Sequence, residues 1–118
     1  MTLAFRPRHE PPRPKDGKLA AIRACDAFAH CGDDELARLG AVTEIVWCQA
    51  GAVVGADVDA SRWWWMPLAG AVAVVEDGRP LTVLGPGQAA PASGRLTLIA
   101  LVATTALVAD RRRLAALD

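Results

Sequence analysis

The chain lacks an excess of charge of either sign: 13 lysines and arginines are matched by 13 aspartates and glutamates over 118 residues. A balanced chain exerts no net pull on nucleic acid or on an anionic lipid surface, which argues against DNA as a partner. Histidine is scarce, with two in all. Neither His9 nor His30 falls in a stretch that reads as strand. A metal centre inside a β-barrel needs several converging histidines and carboxylates, so none is expected here. The three cysteines, Cys25, Cys31 and Cys48, form no C-x-x-C pair. Reduced thiols in a cytoplasmic protein are the expectation, with a Cys25–Cys31 bridge as the alternative. The opening MTLAFRPRHEPPRPK has no apolar core of the kind a secretion signal carries. The longest apolar run, LTLIALVATTALVA (96–109), has fourteen residues. A membrane-spanning helix needs roughly 18, so no membrane insertion is expected.

What is present is a core-forming chain, with 53% hydrophobic and 22% charged residues. That composition and length suit one domain. Residues 1–17 hold Pro7, Pro11, Pro12 and Pro14 and read as an extended tail, which places the domain at 18–118. From Lys18 the apolar spacing turns helical, through Leu19, Ile22, Cys25 or Asp26, and Phe28. A second short helix is expected over Asp33–Leu39. Asp33, Asp34 and Glu35 suit its positive N-terminus, and Gly40 suits its end.

After residue 42 the period falls to two. TEIVWCQ (43–49), AVVGADV (52–58), WWWMPL (63–68), AVAVVE (71–76) and LTVL (81–84) read as strands, and 96–109 as two strands or one bent strand. Turn signals separate them, including the Asp77-Gly78 of a tight hairpin. DRRRLAALD closes the chain as a short helix. The fold class is therefore mainly β with short flanking helices, arranged as an antiparallel β-roll or jelly roll.

Three of the four tryptophans stand side by side in SRWWWMPLAG (61–70). Alternation along one strand puts Trp64, Met66, Leu68, Gly70, Val72 and Val74 on one face. Trp63, Trp65, Pro67, Ala69, Ala71, Ala73 and Val75 lie on the other. The even set is bulky enough to fill the roll. The odd set is apolar without charge, so a helix of this chain or another chain is expected to cover it. Trp63 and Trp65 are accordingly the candidate interface anchors. A bulge near Pro67 or Gly70 would break this parity.

Taken in order, these elements resemble the cyclic nucleotide-binding domain family. The resemblance is carried by F-x-x-C-G-D-D-E-L-x-x-L (28–39), A-G-A-V-V (50–54), W-W-M-P-L-A-G-A-V-A-V (64–74), D-G (77–78), L-G-P-G (84–87) and L-V-A-D-R-R-R-L (107–114). It implies the family's β-roll fold and a cyclic phosphate ligand. That ligand would be held by a cassette after the Gly-Pro-Gly turn, where a short helix led by Phe-Gly-Glu and an arginine meet ribose and phosphate. Here the corresponding text is GPGQAAPASGRLTL (85–98). It is shorter than the cassette, lacks Phe-Gly-Glu, and has no acidic residue from 88 to 109. Arg95 alone is left to stand in for the phosphate arginine. The sequence in hand also carries no second C-terminal helix and no helix-turn-helix.

The expectation is a non-enzymatic protein-interaction or regulatory module on this fold, with no cofactor and with cyclic nucleotide binding lost. A protein partner or a homodimer is the implied contact. The alternative is a sensor of a cyclic nucleotide or other small anion, using loop N–H groups at Gly85, Gly87, Ser93 and Gly94 together with Arg95. Cys48 reads as a buried hydrophobe beside Trp47 and Cys31 as an ordinary thiol near acidic residues, so no nucleophile is assigned. Arg111, Arg112 and Arg113 read as solvated surface, and His30 as a helix C-terminal cap.

Overall fold

The computed structural model describes residues 14–117, with side chains from Lys18 onward. Of the tail expected over 1–17, residues 1–13 lie outside the described residues, and 14–17 are helical rather than extended. Helix α1 (Pro14–Arg23) begins ahead of the Lys18 expected, at a proline. A first-turn proline loses nothing by its missing N–H, because that donor has no intrahelical acceptor. Ile22 and Cys25 of the expected stripe are buried, whereas Leu19 is exposed and lies against Gly40. A 3-10 turn (Asp26–Phe28) leads to α2 (Asp33–Val42), whose first turn is acidic as expected. The Gly32 N–H donates to the Glu35 carboxylate at 2.8 Å. The Lys18 ammonium donates to the carbonyls of Gly40 and Thr43 at 2.6 and 2.9 Å. That places a cation on the negative end of α2 and ties the two helices together.

Seven strands follow: β1 (Glu44–Cys48), β2 (Val53–Asp59), β3 (Trp63–Ala69), β4 (Val72–Glu76), β5 (Arg79–Leu84), β6 (Arg95–Ala100) and β7 (Thr104–Asp110). The apolar run 96–109 is thus two strands. A last helix, α3 (Arg111–Ala115), is capped by the Asp110 carboxylate, which accepts the Arg112 N–H at 2.9 Å. All pairing is antiparallel, in two sheets of order β1-β7-β3 and β2-β6-β4-β5. Asp77 and Gly78 turn the β4–β5 hairpin with φ of 52° and 75°. Two successive positive φ values suit the tight turn that strand twist favours.

Two apolar cores result. Ala60, Val72, Val74, Leu84, Ala90, Leu96 and Leu98 fill the roll, with Val54 and Trp65 against them. Ala21, Ile22, Cys25, Leu36, Leu68 and Leu107 form the second, which glues the helices to the three-stranded sheet, with Phe28, Leu39, Ile45 and Trp64 packed on it. Strand β3 serves both cores, which corrects the single parity expected for residues 63–74. Trp64 and Leu68 face the helices, whereas Trp65 faces the roll.

The faces exchange at a bulge. Register with β7 runs Trp63↔Asp110 to Pro67↔Ala106, then skips to Ala69↔Thr105. Gly70 follows with φ of 99°, and beyond it Val72 and Val74 point into the roll. A Cβ on Gly70 would fall 2.6 Å from the Ala103 carbonyl oxygen. Both the left-handed backbone and the close approach demand glycine there. Gly70→Ala should therefore lower stability by about 2 kcal/mol or more in chemical denaturation. A loss under 0.5 kcal/mol would contradict the close approach.

Candidate functional site

The segment between β5 and β6, residues 85–94, is where a ligand-binding cassette is expected, and its backbone is bonded back onto the protein. The Gly85 N–H donates to the Gln88 side-chain oxygen at 2.7 Å. The Gly87 N–H donates to the Pro67 carbonyl at 2.8 Å, and the Ala90 N–H to the Trp65 carbonyl at 2.9 Å. Trp65 and Pro67 sit two apart on β3, an edge strand of its sheet. An edge strand presents alternate carbonyls outward, and proline is tolerated there because no ladder donor is missed. The segment uses that free edge. Ala90 is buried in the core of the roll. Gly87, at φ of 83°, lies so close to the 3-10 turn that a Cβ would meet the Ala27 Cβ at 2.8 Å. The segment is pinned at both the strand and the helices.

Of the loop N–H groups named as an anion nest, those of Gly85 and Gly87 are therefore already engaged. The Gly94 carbonyl accepts the Ala60 N–H at 2.9 Å, and Gly94 lies against the Glu76 carboxylate. A carboxylate there repels an anion. Ser93 is exposed.

Arg95 is placed on the wrong face for a ligand in the roll. In β6, Leu96 and Leu98 point into the roll core, so Arg95, Thr97 and Ile99 point out. Its Nε donates to the Asp57 carboxylate at 3.1 Å and its Nη2 to the Asp57 carbonyl at 2.9 Å. The two side chains are 62% and 75% exposed, so this is a surface ion pair. Such pairs contribute about 0–1 kcal/mol. Arg95→Ala should shift the denaturation midpoint by no more than that. A loss above 2 kcal/mol would show that Arg95 has a buried role.

Trp63 and Trp65 part company. Trp63 is 36% exposed, with the Arg62 guanidinium 5.1 Å above its ring. Arg62 in turn lies 3.6 Å from Asp110. Trp65 packs inside the roll, close enough to Gly55 that a Cβ there would meet the ring at 3.2 Å. Of the two expected anchors, only Trp63 lies at the surface.

The arginine run also divides. Arg111 turns inward, its Nε donating to the Ala60 carbonyl at 2.8 Å, while its Nη2 is buried without a hydrogen-bond partner. Trp65 Nε1 is a second buried donor without a partner. Arg112 lies beside Asp110, and Arg113 donates to the Ala41 carbonyl at 3.3 Å, so these two stay at the surface as expected. The N–H of Arg112 and its guanidinium hold the Asp110 carboxyl below the usual range.

The three thiols are free, so Cys25 and Cys31 are not bridged. Burial pushes the Cys48 thiol up, which disfavours its nucleophilic form. Among the described residues, no three histidine, cysteine or acidic side chains gather to hold a metal. His30 lies in the turn after Phe28, and His9 is outside the described residues. Among the described residues, no helix is long and apolar enough to cross a membrane.

Asp57, Ala90 and Arg111 were missed by sequence reading. Ala90 left a faint signal, an uncharged Ala-Ala-Pro-Ala stretch in what should be a wet loop. Arg95 left a plain one, since the alternation of RLTLIA already sets it opposite two leucines.

No family model and no curated protein matches the chain in sequence. Solved structures do match. A Geobacter metallireducens protein described as cyclic nucleotide-binding superposes with a TM-score of 0.63 at 16% identity, over 85% of this chain and 80% of its own. The regulatory subunit of a cAMP-independent protein kinase A from Trypanosoma brucei gives 0.61 at 13%, over 80% and 38%. The N-terminal domain of a Streptomyces coelicolor transcriptional regulator gives 0.58 at 24%, over 80% and 76%. The fold is the β-roll of cyclic nucleotide-binding domains.

Proposed function

We propose that the chain is a non-enzymatic interaction or regulatory module that uses the cyclic nucleotide-binding fold without the nucleotide. One observation carries the reading: the ligand-side segment is bonded to the β3 edge through Gly87 and Ala90, with Ala90 seated in the roll. A ligand would have to break those bonds and expel a buried side chain. The outward pairing of Arg95 with Asp57 supports the same reading, since it engages the arginine that follows the Gly-Pro-Gly turn. Three free thiols fit a reducing compartment such as the cytoplasm. Trp63, aromatic and surface-placed, is the anchor left for a protein contact.

A second reading, a small-ligand sensor, has one observation in its favour. The buried Trp65 Nε1 and Arg111 Nη2 are two donors without acceptors. An acceptor or anion smaller than a nucleotide would satisfy them.

Titration calorimetry with cyclic AMP and cyclic GMP separates these readings. The interaction module gives no saturable heat with either nucleotide at millimolar concentration. Saturable binding in the micromolar range would overturn it. A rise in melting temperature with a small oxyanion, and not with the nucleotides, would favour the sensor.

A further inference from the structure

The four-stranded sheet has one face in the roll and one face turned outward, and the outward face is where the expected covering is missing. All three helices pack on the opposite side of the molecule: α1 and α2 on the core around Leu107 and Leu68, and α3 at the end of β7. Of the odd residues expected to need a cover, Trp65 and Pro67 are covered by the protein itself, whereas Ala73 stands on this outward face with no helix of the described residues over it.

The register shows what that face presents. Val53 pairs with Ile99, Ile99 with Ala73, and Ala73 with Val83, so one row crosses all four strands without a polar atom in its side chains. Val53 and Val83, at the two edges, are each 55% exposed. Leu81 in β5 and Leu101 just beyond β6 are also exposed, at 49% and 48%. The charged groups of this face, Asp57, Asp59 and Arg95, gather at one end of β2 and β6.

The order of sizes in the row selects its mate. It reads large, large, small, large from β2 to β5. A two-fold axis running along the strands between two stacked copies reverses that order across the interface. Ile99 of each copy then sits over the small Ala73 of its mate, and Val53 over the mate's Val83. Strands spaced about 4.8 Å apart and rising about 3.3 Å per residue give a face roughly 20 Å square. With side chains standing on it, two such faces bury about 1,000 Å² in all, enough for a weak, reversible interface and too little for an obligate one.

Building on the interaction-module reading, we propose that this sheet face is a homodimer surface, occupied by a second copy through the Val53–Ile99–Ala73–Val83 row. Sedimentation of the full chain over a concentration series tests it. Wild type should dimerise with a Kd on the order of 10–100 µM. Val83→Glu and Val53→Lys should each weaken this about tenfold or more, because each buries a lone charge at an apolar contact. Both positions are exposed in the single copy and lie on opposite edges of the sheet, so neither change threatens the fold and the two cannot pair within one chain. The double variant should recover association, since the introduced ammonium and carboxylate meet across the two-fold.

A wild type that stays monomeric at about 300 µM, above the Kd range expected of so small an interface, would overturn the proposal. Single variants that dimerise unchanged, or a double variant that fails to recover, would do the same. Calorimetry with cyclic AMP on the same sample keeps the two claims apart. A monomer that ignores the nucleotide removes the dimer alone. A dimer that binds it removes the interaction-module reading and leaves the face in place.

Discussion

The free edge of β3 is the constraint on which both the fold and the functional reading depend. In a three-stranded sheet ordered β1-β7-β3, the last strand has one row of carbonyls with no strand partner. Buried carbonyls without donors cost roughly 1–3 kcal/mol each, so something must come to them. Here the donors are Gly87 and Ala90. Pro67 lies between Trp65 and Ala69 on this edge, where its missing N–H does no harm. The segment between β5 and β6 is thereby bonded to the sheet's free edge.

Packing reinforces that choice. Ala90 is small enough to enter the roll beside Val72, Leu84 and Leu98, and Gly87 is bare enough to pass the 3-10 turn. Trp65 fills the roll from the other side, against Gly55. The members of the tryptophan triplet thus have separate roles, with Trp63 at the surface under Arg62, Trp64 beneath the helices, and Trp65 in the roll. One strand can fill all three because adjacent side chains point to opposite faces and both faces of β3 are covered.

Much of this was legible in the chain. The Asp77-Gly78 hairpin, the acidic start of α2 and the strands up to Leu84 follow from local turn chemistry and periodicity, which depend on near neighbours alone. That 96–109 is two strands and not one bent strand does not follow from them. The parity of residues 63–74 was not legible. It reverses at Leu68–Gly70 because Gly70 must pass close to Thr104 and Ala103, residues distant in sequence. Long-range contacts also decide that Arg111 turns in to the Ala60 carbonyl while its neighbours stay out. The charge-free odd face was read as needing a cover. Which side the helices would take depends on how Leu107 and Leu68 orient the three-stranded sheet, and no local pattern states that.

Amide hydrogen exchange at Gly87 and Ala90 tests the closed segment most directly. If these N–H groups are held by the Pro67 and Trp65 carbonyls, they exchange orders of magnitude more slowly than free-chain amides, at rates comparable to those within the sheets. Exchange at free-chain rates at both positions would mean that the segment is open, and the account of a roll closed against nucleotides would be wrong.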